Sequence, residues 1–303
     1  MMVSVVIPCF NGAATIRDCL QALTDQSFGA SYEIILVDSS YDATPEIVTR
    51  FFPGVRLIHL DKKTDPGSAR NIGIKQSKGD PLLFIDADCV ADPAWIAKMV
   101  ERHREGHPVV GGAVENNNRA GDAVALAGYM AEFREFLPEH PERMMPHVPA
   151  CNISYKREIF NTYGFFDKNY YPQEDMLYNY RLMDKGIKIL FSPDIQVKHT
   201  HRSRLKDFFS HQRLIGEVTP AVLDQLDLPG SFLARNPFIT LLLGPFLPFV
   251  KFIRTLGVFL RLRAATVFRQ PVAVILFAAG LGAWIAGFIQ GVWSKHQIKE
   301  RKR

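Results

Sequence analysis

The residues Phe84-Ile85-Asp86-Ala87-Asp88 end an apolar run with two carboxylates at positions i and i+2. Two carboxylates just beyond a strand can serve a hard divalent cation through oxygen and leave coordination positions open for phosphate oxygens of a substrate. Taken alone, the triplet reads equally as a surface turn carrying two solvated aspartates. What separates the two readings is the set of elements around it.

Short apolar, β-rich runs occupy residues 3–7, 34–37, 55–60 and 82–85, and segments of helical composition fall at 13–26, 44–52, 68–77 and after Pro93. This alternation predicts a mostly parallel α/β sheet. Three of the runs lead into polar tips at Asn11, Asp38 and Asp86. In open α/β sheets ligands collect at the carboxyl ends of strands, so the first 90 or so residues outline a binding site. Farther on, the pattern predicts strands at 109–114, 187–191 and 195–198 and a helix over 174–185, completing the same domain. Glu174 and Asp175 open that helix, a placement that the positive end of the helix dipole explains by itself.

The 303 residues, 47% of them hydrophobic, suffice for one large core with a membrane-seeking piece, and they exclude a disordered chain. Charge is divided unevenly. Residues 1–198 carry 21 basic and 26 acidic side chains, whereas residues 199–303 carry 15 and 5. The bases of the second part lie among long apolar runs, which favours an anionic membrane surface over nucleic acid. Cys9, Cys19, Cys89 and Cys151 lack metal-binding or disulfide spacing, which fits a reducing compartment. The first residues lack a signal-peptide pattern, so the front of the chain is expected to stay in the cytosol.

Residues 238–250 are apolar but interrupted by Gly244, Pro245 and Pro248. Over 251–269, helical spacing places Lys251, Arg254, Arg261 and Arg269 on one side and Phe252, Leu256, Phe259 and Leu260 on another, predicting an interfacial amphipathic helix. Residues 271–293 carry no charge and are long enough to cross a bilayer, with Lys295, Lys299, Arg301, Lys302 and Arg303 following. Bases on both sides of this run point to a re-entrant or hairpin arrangement rather than a single span. The expected organisation is a catalytic domain over 1–201, a helical connection over 202–236 and membrane-associated helices with a basic tail over 237–303.

In order and spacing, Val5 to Asn11, then Val37-Asp38-Ser39-Ser40-Tyr41-Asp42, then Gly67-Ser68-Ala69-Arg70-Asn71, then Asp86-Ala87-Asp88 resemble the family 2 glycosyltransferases of the GT-A fold. Asn152, Lys156, Arg157, Gly164 to Asp167, Gln173-Glu174-Asp175, Arg181 and Gly186 resemble that family's acceptor-side half, so the likeness runs over residues 3 to 201. The resemblance implies a GT-A mixed sheet flanked by helices and transfer of a sugar from a nucleotide-sugar donor to a hydroxyl acceptor; the membrane-seeking tail points to a lipid-linked or cell-surface glycan as that acceptor.

By position, the resemblance implies that Pro8, Phe10, Asn11 and Asp38 hold the donor's base and ribose. Arg70 reaches its diphosphate, Asp86 its ribose, and Asp88 holds Mn2+ or Mg2+. His199 is implied as a further metal ligand, with His201 competing for that role. Asp175, with Glu174 beside it, is implied as the base that takes the acceptor proton, with inversion at the anomeric carbon.

Ser39 stands where many relatives carry a second Asp, which opens the base preference. His211-Gln212-Arg213 lacks the Gln-x-x-Arg-Trp motif of processive members, so repeated extension is not expected. The alternatives are a polyprenyl-phosphate sugar synthase, whose members generally lack the Asn152 and Glu174-Asp175 blocks, and a non-catalytic membrane-bound GT-A module, which retention of the charged motifs opposes. A nucleotidyltransferase would need a glycine-rich basic loop after the first strand, which is missing here.

Overall fold

The computed structural model describes residues 2–228 and 230–301, with side chains through Lys295. They group into two compact units, Met1–Glu115 with Phe136–Thr200, and Asn116–Glu135 with His201–Arg303.

The first unit holds strands β1 (Val3–Cys9), β2 (Tyr32–Asp38), β3 (Arg56–His59), β4 (Leu82–Ile85), β5 (Cys89–Ala91), β6 (Val109–Asn116), β7 (Arg143–Met145), β8 (Asn152–Tyr155) and β9 (Ile189–His199). They form one mixed sheet in the order β3-β2-β1-β4-β8-β6-β9-β5, with β7 added to β9. The β1–β2, β2–β3 and β1–β4 pairs are parallel, and β4–β8, β6–β8, β5–β9 and β7–β9 are antiparallel. All seven residues of β1 and all four of β4 are buried, as expected for central strands covered on both faces.

The helices of this unit are α1 (Ile16–Thr24), α2 (Thr44–Phe51), α3 (Pro66–Gln76) and α4 (Trp95–Arg104), followed, after α5 of the second unit, by α6 (Arg157–Tyr163) and α7 (Glu174–Asp184). In α1 the apolar residues Ile16, Cys19, Leu20 and Leu23 recur at helical spacing and are buried. Helix α3 starts where Asp65 accepts a hydrogen bond from the Ser68 amide at 2.8 Å and Pro66 takes the first turn. It lies close on β1 because Gly73 has no side chain; a Cβ there would stand 2.3 Å from Val6 Cγ1.

The two strands expected at 187–191 and 195–198 are one strand, β9. Pro193 does not break it, because it falls between the register with β7, which ends at Phe191, and that with β5, which begins at Val197. The short strands β5, β7 and β8 and helices α5 and α6 have no counterpart in the sequence periodicity.

The second unit is helical: α5 (Ala123–Phe133), α8 (Leu205–Leu226), α9 (Ser231–Arg235), α10 (Pro237–Leu243), α11 (Leu247–Arg269) and α12 (Pro271–Arg301). Helix α11 includes Pro248 in its first turn, where a missing amide costs little, and it bends at Arg263 (φ −140°, ψ 42°). Two segments, Pro237–Arg269 and Pro271–Lys295, are long and apolar enough to cross a membrane, with mean hydropathies of 1.5 and 2.3. Of the flanking bases expected after 293, the side chains at 299–303 lie outside the described residues.

Phe84 holds the strand that delivers the Asp86 turn. It is fully buried, edge-on to Tyr155, Phe160 and Phe166 at centroid distances of 5.7, 5.8 and 5.9 Å. Phe84→Ala should cost about 3–5 kcal/mol of unfolding free energy in urea titration, and Phe84→Leu much less. Equal losses for the two would show that the ring packing is not what anchors β4.

Candidate active site

In the order β2-β1-β4 the chain runs outward on one side of β1 and returns on the other, so a crevice opens beyond the carboxyl ends of β1 and β4. The Phe10-Asn11 tip, the Asp38 tip and the Asp86 turn all stand at this edge. Pro8 is buried within β1, paired with Val37.

Arg70 projects from the buried face of α3 and is only 4% exposed. Its Nη2 donates to Asp86 Oδ1 at 2.6 Å and its Nη1 to Glu174 Oε1 at 3.1 Å. Burial works against its charge, but the carboxylates of Asp86 and Glu174 raise its pKa above the usual guanidinium value. Gly67, one turn earlier, makes room, since a Cβ there would meet Glu174 Cγ at 2.7 Å. The neighbouring Asn71 accepts from the Phe166 amide at 3.1 Å and donates to the Phe166 carbonyl at 2.8 Å. The Gly67 to Asn71 motif therefore clamps α3 to the segment that leads into α7.

Burial pushes Asp86 upward, against Arg70, with the charge of Asp88 adding to the rise. Burial and the adjacent Asp175 push Glu174 up to about 7 despite Arg70. Glu174 Oε2 and Arg70 Nε are buried without a hydrogen-bond partner.

Asp88 faces outward, its side chain 43% exposed. Strand β5 pairs with β9 so that Cys89 lies opposite His199, and this brings His199 Nε2 to 3.5 Å from Asp88 Oδ1. The Thr200 amide donates to the Asp88 carbonyl at 2.9 Å, closing the junction. Ligand atoms of Asp88, Cys89 and His199 all lie within 4.8 Å of one another. The Cys89 thiol is buried, and burial pushes its pKa well up, so it stays protonated and is a poor ligand for a hard ion. A carboxylate oxygen and an imidazole nitrogen remain, a donor set that fits Mn2+ or Mg2+ with positions left for phosphate oxygens. His201 belongs to the second unit, edge-on to the rings of Tyr129 and Phe133.

Asp38 is fully buried and is engaged by protein: Ser40 Oγ donates to its Oδ1, and His59 Nδ1 lies 2.7 Å from its Oδ2. Ser40 Oγ also accepts from the Asn11 amide at 2.6 Å, and Asn11, at φ 53°, accepts from the Tyr41 amide at 3.0 Å. Phe10 and the exposed Tyr41 meet edge-on at 5.9 Å, with Lys63 Nζ 4.5 Å from the Phe10 ring centre. An aromatic pair with a cation at the edge of a crevice suits a planar base. His59, Tyr41 and Lys63 were not singled out from sequence. Only Tyr41, inside the Asp38 motif, carried a signal there.

Asp175 points away from Glu174. Its Oδ2 accepts from the Ala150 amide at 2.8 Å and its Oδ1 from the Met176 amide at 2.6 Å, and the side chain is half-buried. One residue of the pair thus binds Arg70, and the other is held half-buried by two backbone amides.

The sequence pattern described as Glycosyl transferase family 2 matches residues 4–164, more than half of the chain. The chain belongs to that family. This glycosyltransferase is 29% identical over 239 residues to the glycosyltransferase AglE of Haloferax volcanii, covering 76% of this chain and 77% of that one. It is 25% identical over 228 residues to the pre-mycofactocin glycosyltransferase of Mycobacterium tuberculosis, covering 71% of this chain and 46% of that protein, about half its length. The mannosyltransferase PcManGT of Pyrobaculum calidifontis, solved with GDP-Man and Mn2+, matches with a TM-score of 0.61 at 18% identity, over 97% of this chain and 87% of that one. At that identity the likeness establishes the GT-A fold of the glycosyltransferase.

A carboxyl with a raised folded-state pKa holds a proton more tightly in the folded chain than in the unfolded one. Its contribution to stability is therefore present below the unfolded value of 4.5 and is lost as pH rises towards about 7. Thermal unfolding of Glu174→Gln should lose less stability than the parent chain between roughly pH 5 and pH 7. Parallel pH profiles for the two chains would place the titration elsewhere.

Proposed function

We propose that this glycosyltransferase moves a single sugar, with inversion and with help from a divalent metal, from a nucleoside-diphosphate sugar to a hydroxyl of a lipid-linked or cell-surface glycan. The observation that carries the reading is the meeting of Asp88 and His199 at 3.5 Å beside the Asp86–Arg70–Glu174 chain of charge, with Asp175 next to Glu174 in the first turn of α7. Asp88 and His199 would hold the metal, which supplies positive charge against the departing diphosphate. Phe10, Asn11 and Tyr41 bind the base. Asp38 acts through His59 and Ser40, and Asp86, held by Arg70, faces the ribose.

The carboxylates around Arg70 support an ordering role for it. With both ends of its fork taken by carboxylates, it orders the site and neutralises it, and contact with the diphosphate becomes a secondary task. Asp175 takes the proton from the acceptor hydroxyl as that oxygen bonds to the anomeric carbon. The bond from that carbon to the diphosphate oxygen breaks, and its electron pair leaves on the diphosphate.

Transfer takes place at a membrane, with the first unit on the cytoplasmic side. Support for this comes from the two long apolar segments, from the net +10 of residues 199–303, and from cysteines left as free thiols.

The test combines donor binding and turnover. With manganese present, one of UDP-, GDP- and dTDP-sugars should raise the melting temperature of the parent chain, and Asp88→Ala should lose the metal-dependent part of that rise. Asp175→Asn should bind the donor normally and transfer about 10²–10⁴-fold more slowly. Full activity in both variants, each folded, would overturn the mechanism.

A further inference from the structure

From residue 228 to residue 299 the chain contains no Asp or Glu, while Arg235, Lys251, Arg254, Arg261, Arg263, Arg269, Lys295 and Lys299 fall within it. In the same stretch, large apolar side chains stand in solvent. Phe238 is 71% exposed, Leu242 72%, Phe246 66%, Phe249 64%, Ile253 53% and Phe268 76%. From Phe246, just before α11, through Phe249, Val250, Ile253, Gly257 and Leu260 the residues follow helical spacing on the open side, and Thr255 and Phe259 on the opposite side are fully buried. Exposed Arg254, whose Nη2 lies 3.7 Å from Glu135 Oε1, and Arg261 border this stripe, whereas Lys251 is turned inward, its Nζ 3.8 Å from the Trp284 ring centre. An unbroken apolar face bordered by arginines, on helices that carry no acid of their own, is the form of a helix that lies in the headgroup region of an anionic leaflet.

Helix α12 is built differently. Ala273, Phe277, Leu281, Trp284, Phe288 and Val292 form one buried stripe. The helix lies against α8 at backbone distance, for a Cβ at Gly287 would stand 2.0 Å from the Arg213 carbonyl oxygen and one at Gly291 2.1 Å from that of Glu217. Arg213 Nη2 donates to Gln290 Oε1 at 2.7 Å, and Lys295 pairs with Asp224. A bilayer crossing by α12 would carry Arg213, Glu217 and Asp224 of α8 into hydrocarbon with it, or strip away these contacts.

We propose that the second unit binds in the plane of a single anionic leaflet through the α10–α11 face, and that α12 stays packed on α8 instead of spanning the bilayer. This rests on and refines the membrane part of the proposed function, with insertion from one side in place of the re-entrant or hairpin arrangement expected from the sequence. A second copy of the chain is a poorer occupant of the face, because a two-fold contact would set its arginines against each other while α10 and α11 carry no acid of their own to offset them.

The test uses the full chain and vesicles of phosphatidylcholine with or without phosphatidylglycerol. All four native cysteines are buried, so single cysteines introduced as Phe249→Cys and Ala286→Cys can carry an environment-sensitive dye. Co-sedimentation should be at least ~10-fold stronger with phosphatidylglycerol and should weaken with salt. The dye at 249 should be quenched by nitroxide lipids labelled near the headgroup, and the dye at 286 should be unaffected. The pair Phe246→Glu and Phe249→Glu should reduce vesicle binding by at least ~10-fold and leave donor turnover in lipid-free solution unchanged.

Quenching of both dyes by deeply placed nitroxides would overturn the inference in favour of spanning helices. A lipid-free dimer that the paired substitutions dissolve, without vesicle binding, would overturn it in favour of a second copy. Vesicle binding and turnover are read on the same samples, so a parent chain that binds vesicles but turns over no donor counts against the catalytic reading, and a parent chain that turns over donor but binds no vesicles counts against this one.

Discussion

A guanidinium group removed from water must bring its counter-charges with it, and Arg70 does so across a large separation in sequence. Its partners Asp86 and Glu174 lie 16 and 104 residues away. One side chain therefore ties α3, the tip of β4 and the first turn of α7 to a common point. Removing one partner from such a buried group would leave a charge uncompensated, which makes the arrangement all-or-none. The glycines at 67 and 73 belong to the same constraint, because they let α3 approach both β1 and Glu174 closely enough for the fork to reach.

The placement of the neighbouring carboxylates follows from that clamp. With Asp86 held to Arg70, Asp88 two residues on is left facing solvent, where β9 presents His199 to it. With Glu174 drawn inward, Asp175 is held by the Ala150 and Met176 amides. Two adjacent carboxylates thereby receive different surroundings. The same logic applies at Asp38, whose oxygens are occupied by Ser40 and His59.

The division of charge along the chain has a parallel division of labour. The acidic first part gathers carboxylates around Arg70 and His199 at the ends of β4 and β9. The basic second part carries its arginines beside exposed phenylalanines and leucines. The two long apolar segments look alike by hydropathy, yet one displays its apolar side and the other buries a stripe against α8.

Which segments form strands and which form helices was legible in the sequence wherever periodicity was strong. Strands β1, β2 and β4 read as apolar runs because parallel central strands are covered on both faces, and the tips at Asn11, Asp38 and Asp86 followed from the ends of those runs. The motif spacing also marked Asp86, Asp88, Glu174 and Asp175 as one constellation. Periodicity reports which face of an element is apolar, but it does not report which distant element covers that face. Strand β5, three residues long, has no pattern of its own, and only its register with β9 sets His199 rather than His201 beside Asp88. Likewise, Arg70 as a buried clamp, His59 at Asp38, and α12 as a partner of α8 are decisions of tertiary packing. Each depends on where a charge or an apolar stripe finds its counterpart once the chain has closed on itself.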